Sequence, residues 1–127
     1  WALGQIGIWF GHRPGLCSLI SLRLRVARSR IRVADVVVVE LPLPGEEVFT
    51  SLPWLCVEIM SPDDTMSSMQ DRLDDYLRFG VPNISVVDPW KHRGWSVTAD
   101  GWAVASDGVT RTADGRVAMP LADVLLP

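Results

Sequence analysis

The stretch LPWLCVEIMSPDD, residues 52–64, predicts a buried strand at the centre of the fold. Its short apolar run also contains a carboxylate, Glu58. Large apolar side chains bounded by Pro53 on one side and by Pro62 on the other are typical of a buried strand. An ionised carboxylate in such surroundings is unfavourable by on the order of several kcal/mol unless a cation or a set of hydrogen-bond donors meets it. We therefore expect Glu58 to belong to a functional site.

A second acid holds the same position relative to another apolar run. Asp35 directly precedes four consecutive valines, residues 36–39, within the segment RIRVADVVVVE. If both runs are buried strands, the two acids suggest a shared cation. Oxygen ligands from Asp and Glu suit Mg²⁺ or Mn²⁺, which keep several water ligands. Such an ion activates a water molecule and offsets negative charge on a phosphate, so the pair predicts metal-dependent hydrolysis.

Apolar side chains at helical spacing predict a helix after the Glu58 strand. Asp63, Asp64 or Thr65 can cap its beginning, and Gly80 ends it. Its apolar stripe is predicted to contain Met66, Met69, Leu73, Tyr76 and Leu77. The outer face is predicted to carry Asp71, Asp74, Asp75 and Arg78. Arg72 lies at the edge of the stripe, so we expect its side chain to lean toward the sheet and the two acids.

The order of predicted elements defines a mixed α/β fold. The elements are a helix over 1–10, strands over 19–28, 30–40 and 54–60, the helix just described, a strand over 84–87, and a hairpin around 100–101. A helix between the third and fourth strands is a crossover connection, which is right-handed if those strands are parallel. We therefore expect a single domain over residues 1–127 with a central mixed sheet, a crossover helix after the third strand and a C-terminal β-hairpin.

Composition indicates a globular protein with a real core. Of the 127 residues, 48% are hydrophobic, and apolar runs are too short to cross a bilayer. No leader segment is visible, so a cytoplasmic location is expected and a membrane partner is not. Cys17 and Cys56 form no metal-type pair and are expected to be buried free thiols, although a disulfide stays open.

The basic residues are concentrated in one segment. The net charge is −3, which argues against strong nonspecific binding to nucleic acid. Five arginines nevertheless fall within ten residues, at Arg23, Arg25, Arg28, Arg30 and Arg32, and all of them except Arg28 alternate with apolar residues. This alternation predicts that they share one face of a strand pair, where DNA phosphates are a suitable partner. A solvated sheet face without a partner is an equally good interpretation.

Three segments together resemble the Uma-type restriction endonuclease family of bacteria, within the PD-(D/E)XK nuclease superfamily. They are RIRVADVVVVE, LPWLCVEIMSPDD and QDRLDDYLRFGVPNISVVDP. Members commonly show an Asp closing an RxPD-type turn, then VEVLSP, then a helix reading KLxxYxxxGVPEYWxVDP, which Asp35, Glu58 and Tyr76 match in that order. The resemblance implies a restriction endonuclease-like core and an Mg²⁺- or Mn²⁺-dependent endonuclease acting on DNA. It also implies Asp35, Glu58 and the Ile59 carbonyl as metal ligands.

The chain departs from the family pattern at the basic residue. Met60 stands where members of the superfamily carry Lys, and the matching helix position is Arg72. The only lysine is Lys91. Arg72 can hold a phosphate through two hydrogen bonds but cannot act as a general base. The resemblance further implies an additional N-terminal helix ahead of Trp1, which this sequence is expected to lack.

Two other interpretations follow from the same residues. The chain can be a catalytically degenerate nuclease fold that binds DNA or a protein partner through its arginines, with Arg72 and Glu58 forming a structural ion pair. It can also be a homodimer whose contact is the tryptophan-rich hairpin, which carries Trp90, Trp95 and Trp102.

Overall fold

The computed structural model describes residues 1–42 and 50–125 and confirms the mixed α/β class. Its helices are α1 (Ala2–Gly11) and α2 (Met66–Phe79), followed near the end by a 3₁₀ turn, Leu121–Asp123. Its strands are β1 (Leu16–Ala27), β2 (Arg30–Glu40), β3 (Leu55–Ile59), β4 (Asn83–Asp88), β5 (Arg93–Thr98), β6 (Gly101–Val104), β7 (Val109–Arg111) and β8 (Ala118–Pro120). Within these residues, neither helix is long and apolar enough to span a membrane.

The main sheet has six strands in the order β1-β2-β3-β4-β5-β6. Every neighbouring pair is antiparallel except β3 and β4, which are parallel and joined by α2. A parallel pair needs a crossover connection, and α2 supplies it as the sequence predicts. The small second sheet formed by β7 and β8 was not predicted, because strands of three residues are too short to show a hydrophobic period.

The ends of α2 follow from specific residues. Thr65 is the N-cap: its hydroxyl accepts a hydrogen bond from the Ser68 backbone N–H, and the Ser68 hydroxyl accepts one from the Thr65 backbone N–H. Gly80 ends the helix at φ 100°, a left-handed conformation that glycine adopts without strain. The predicted apolar stripe is buried at its centre but not at its beginning, where Met66 is 60% exposed.

The helices cover opposite faces of the sheet. The α1 side buries Ile6, Phe10, Val36, Val38, Leu55 and Val57. The α2 side buries Val37, Val39, Cys56, Met69, Leu73, Tyr76 and Val86. Valine runs in β2 and β4 fit strands that are covered on both faces. Cys17 and Cys56 are free thiols, as predicted; Cys56 is buried as expected, whereas Cys17 is only partly buried.

The predicted C-terminal hairpin is formed by β5 and β6 around Asp100-Gly101. Trp95 and Trp102 pack edge to face with ring centroids 5.8 Å apart, and the Trp102 indole N–H donates to the Gln70 side chain. These two tryptophans therefore fix the hairpin against α2.

The long β1–β2 hairpin changes the direction of its side chains near its middle. Ser21 has a positive φ of 49° and lies across from Asp35 in the register of the two strands. On one side of this point Val36 packs toward α1, and on the other side Leu24 and Ala34 pack toward α2. The strict two-residue alternation is therefore interrupted where β2 carries Asp35.

The prediction that the arginines share one face is wrong. Arg23 pairs with Val33, Arg25 with Ile31, and Leu24 with Arg32. Directly opposed residues of an antiparallel pair point to the same side, so the arginines of β1 and those of β2 lie on opposite faces. Each strand alternates as expected, but the register between the strands could not be derived from either strand alone.

The prediction that Asp75 faces outward is also wrong. Asp75 is only 3% exposed and binds three guanidinium groups. Its nearest contacts are Arg32 Nε at 2.7 Å, Arg30 Nη1 at 2.9 Å and Arg78 Nη1 at 3.1 Å. The hairpin arginines reach across α2 and cover this position, so a residue on the edge of the helix becomes buried.

Candidate active site

The two predicted acids meet at the same end of neighbouring strands. The β2–β3 ladder ends with Val36 opposite Val57, and one further step places Asp35 opposite Glu58. Asp35 Oδ2 accepts a hydrogen bond of 2.8 Å from the backbone N–H of Ile59. This bond fixes the Asp35 carboxylate beside β3, where it faces the Glu58 carboxyl group.

Glu58 is fully buried, and its two carboxyl oxygens have different surroundings. Oε1 accepts a hydrogen bond from the Tyr76 hydroxyl of α2. Oε2 lies 3.6 Å from Arg72 Nη1, an ion-pair contact too long for a good hydrogen bond. Among the described residues no side chain or backbone group hydrogen-bonds Oε2. A buried oxygen left without a partner is rare in native proteins and calls for a ligand or another explanation.

The electrostatics of the site oppose ionisation of Glu58. The pKa of Glu58 is raised from 4.5 to about 8, chiefly by burial and also by the charge and the carboxyl contact of Asp35. The hydrogen bond from Tyr76 and the charge of Arg72 lower the pKa without offsetting these effects. Burial, followed by the Glu58 charge, also raises the pKa of Cys56 well above its ordinary value. The pair Asp35–Glu58 therefore favours either a retained proton or a bound cation.

Arg72 is held at the mouth of the site by a second acid. Its Nη2 lies 2.8 Å from Asp64 Oδ1, while its Nη1 faces Glu58. Asp64 is itself fixed, because its other oxygen accepts a 2.9 Å hydrogen bond from the Ser61 backbone N–H. The Arg72 side chain keeps 20% of its surface exposed, so the guanidinium can meet an anion from solvent.

Sequence reasoning did not predict two direct contacts of the site. Tyr76 was assigned to the apolar stripe, yet its hydroxyl binds Glu58. The sequence predicts Asp64 only as a possible helix cap, yet it binds Arg72. A signal for the first was present, since a tyrosine one helical turn after Arg72 brings a polar group to an otherwise apolar position.

The donor set can be compared with what a divalent ion needs. In the parts of the chain that the structure describes, no cluster of three or more His, Cys, Asp or Glu side chains is placed to hold a metal. Mg²⁺ commonly uses only one or two carboxylates and retains water for its other positions. The carboxylates of Asp35 and Glu58, including the unpartnered Oε2 atom of Glu58, therefore fit a hydrated Mg²⁺ or Mn²⁺. They do not fit an ion that requires a full cage of side chains.

The fold and site define a restriction endonuclease-like α/β domain with a pair of acids at the end of adjacent strands. The sequence matches the Uma2 family, described as "Putative restriction endonuclease", over residues 1–113, and the chain belongs to this family. The crystal structure of "a putative nuclease belonging to DUF820" from Anabaena variabilis ATCC 29413 is similar, with a TM-score of 0.79 and 14% identity. That similarity covers 97% of this chain and 77% of the other and shows a shared fold. No curated protein matches the sequence. Family membership supports a nuclease function.

Proposed function

We propose that this chain is a metal-dependent endonuclease that hydrolyses phosphodiester bonds of DNA. Asp35 and Glu58 bind Mg²⁺ or Mn²⁺, the Ile59 carbonyl adds a ligand, and Arg72 contacts the phosphate. The observation that carries the proposal is Glu58 Oε2, which is buried without a hydrogen-bond partner among the described residues and lies beside a second acid.

Each side chain has a task that follows from its contacts. Tyr76 donates to Oε1 and so directs Oε2 toward the position shared with Asp35. Asp64 holds the Nη2 atom of Arg72 while Nη1 faces Glu58, and the exposed fifth of the side chain lets the guanidinium contact a phosphate oxygen beside the two acids. A bound divalent ion supplies Lewis-acid chemistry there, lowering the pKa of water and offsetting charge on the phosphate. Removal of water from the site strengthens these interactions, because Glu58 and Tyr76 are fully buried.

Metal binding is the direct test of the proposal. Calorimetric titration of the intact chain with Mn²⁺ and with Mg²⁺ should show binding, and Glu58→Ala should abolish it because one of the two carboxylates is lost. Glu40→Ala is the matched control, since Glu40 is an exposed acid at the C-terminal end of β2, five residues beyond Asp35. Absence of binding to the unaltered chain would refute the proposed metal site.

A second candidate function is a degenerate nuclease fold that binds DNA or a protein without cleaving it. The observation that favours it is Arg72 itself: its guanidinium forms an ion pair with Glu58, where a cation would otherwise compete. Lys91, the only lysine, is exposed in the turn between β4 and β5. Arginine stays protonated at physiological pH, so no side chain replaces a lysine that could release a proton.

Arg72→Lys separates the two candidates in a plasmid-nicking assay with Mn²⁺. If Arg72 stabilises the transition state, the variant should cleave about tenfold more slowly, because lysine loses the two-point contact that guanidinium makes. Arg111→Lys is the control, since Arg111 is exposed and forms an ion pair with the equally exposed Asp107. An inactive natural chain that gains cleavage as Arg72→Lys would instead establish the degenerate candidate.

A further inference from the structure

The outer half of the β1–β2 hairpin carries a local excess of positive charge. Residues 16–34 contain five arginines and no acidic residue, in a chain whose net charge is −3. The arginines are Arg23, Arg25, Arg28, Arg30 and Arg32. A concentration of one sign of charge on one projecting element is the electrostatic pattern of a nucleic-acid contact.

The two faces of this hairpin have different environments. On the face toward α2, Arg30 and Arg32 bind the buried Asp75 carboxylate, which ties the hairpin to the helix. The opposite face, called the outer face here, consists of Arg23, Arg25, Ile31 and Val33. The last two are aliphatic side chains with exposed fractions of 42% and 54%. Arg30 and Arg32 thus share a buried structural partner, while Ile31 and Val33 on the outer face are exposed.

The tip of the hairpin adds to the outer face. Arg25 Nη1 donates a 3.1 Å hydrogen bond to the backbone carbonyl of Arg28, so the Arg25 side chain extends along the turn. Arg28 is exposed at that turn. The Arg25 guanidinium is therefore held at the turn that carries the exposed Arg28, at the end of an element whose other face is fixed by Asp75.

We infer that the outer face and tip of the β1–β2 hairpin bind duplex DNA. A two-stranded β-ribbon fits the major groove, where arginines reach the flanking phosphates and aliphatic side chains face thymine methyl groups and sugars. Arg25 and Arg28 contact the phosphate backbone, and Ile31 and Val33 lie toward the groove. The inference rests on the proposed function, because it names the surface that positions the DNA to be cleaved.

The hairpin adjoins the candidate site along β2. Val33 precedes Asp35 by two residues on β2, and Ile31 precedes it by four. At about 3.3 Å per residue, the outer face begins roughly 7 Å from the candidate site and extends to about 13 Å.

A binding experiment without metal tests the inference apart from catalysis. The probe is a fluorescein-labelled DNA duplex of about two helical turns, titrated in EDTA over a series of salt concentrations. The double variant Arg25→Gln, Arg28→Gln should bind about tenfold more weakly at moderate salt. The slope of log affinity against log salt should become shallower by about two, one for each lost phosphate contact. The variant Arg25→Lys, Arg28→Lys keeps the charge and should retain most of the slope.

A matched control removes the same charge elsewhere. Arg111 and Arg116 lie at the small second sheet, with 54% and 38% of their side chains exposed. Replacement of both by Gln should leave the salt slope unchanged. Equal weakening by the two double variants would show an effect of net charge and overturn the inference, as would unchanged binding of the hairpin variant. Thermal melting confirms that each variant is folded.

The outcomes also separate the inference from the proposed function. If the hairpin variant cleaves DNA with an unchanged KM, the surface is refuted while the endonuclease stands. If the unaltered chain neither binds nor cleaves duplex DNA in the presence of Mn²⁺, the proposed function is refuted together with it.

Discussion

Replacement of Glu58 by Gln should abolish DNA cleavage and, at the same time, stabilise the metal-free protein at alkaline pH. The pKa of Glu58 is raised from 4.5 to about 8 in the fold, so the folded chain holds this proton more tightly than the unfolded chain. Stability of the metal-free protein therefore falls as pH rises between about 5 and 8. At about 1.4 kcal/mol for each pH unit between the two values, the loss is on the order of several kcal/mol.

The glutamine side chain removes this pH dependence. Its carbonyl oxygen can accept the Tyr76 hydrogen bond, and its amide can donate to Asp35. Urea unfolding in EDTA, followed by tryptophan fluorescence, should give similar stability for both proteins near pH 5 and a growing advantage for Glu58→Gln toward pH 8.5. Cleavage should fall by about 10³-fold, because half of the carboxylate pair is lost.

Two comparisons make this result specific. Glu40→Gln, a change at an exposed strand end, should leave both the pH profile and cleavage unaltered. Saturating Mn²⁺ should stabilise the natural chain at pH 8 and have no effect on Glu58→Gln, because only the carboxylate binds the ion. If the unfolding free energies of the two proteins changed with pH in the same way, Glu58 would ionise in the folded chain without loss of stability, and its raised pKa would be contradicted.

The second large effect is expected at Asp75. Asp75→Ala leaves Arg30, Arg32 and Arg78 close together without their shared carboxylate. Removal of one member of a buried pair costs about 3–5 kcal/mol, but Arg30 and Arg78 are more than half exposed and regain water. We therefore expect a loss of about 2–3 kcal/mol in the free energy of unfolding.

The contribution of Asp75 also depends on pH. Burial acts to raise the pKa of Asp75, but hydrogen bonds from Arg32 and Arg30, together with their charges, hold it below its ordinary value. An acid with a lowered pKa stabilises the fold above its unfolded pKa and loses that contribution as pH falls through the folded value. The difference between the natural chain and Asp75→Ala should therefore be constant near neutral pH and shrink in acid.

Asp71→Ala is the matched control, since it removes an exposed acid from the same helix. Its unfolding free energy should change by less than about 0.5 kcal/mol. If Asp75→Ala were as mild as this control, the three ion pairs would be surface contacts of little energetic value.

Local sequence patterns predicted the secondary structure well because each one depends on neighbouring residues. The cap at Thr65, the stop at Gly80 and the buried run around Glu58 all follow from local chemistry. The class and the central mixed sheet follow from the order of those elements.

What the sequence could not give was the relation between elements. The register of β1 against β2 decides which face each arginine occupies, and it depends on the turn at residues 28–29 and on the break at Ser21. Asp75 looked exposed by helical phase alone because its partners come from a hairpin more than 40 residues earlier. The roles of Asp35, Glu58, Ile59 and Arg72 stay predictions, although the structure brings the first two together with Arg72.

The contacts of Glu58 couple the edge of the sheet that carries the two acids to α2. Tyr76 and Arg72 are four residues apart on one side of the helix, and each contacts a different oxygen of the same carboxyl group. A sliding or rolling movement of α2 would therefore rotate the Glu58 carboxyl instead of leaving it in place. The orientation of Glu58 is in this way tied to the packing of a single helix, so a change of packing at Met69 or Leu73 would move the Glu58 carboxyl without altering either acid.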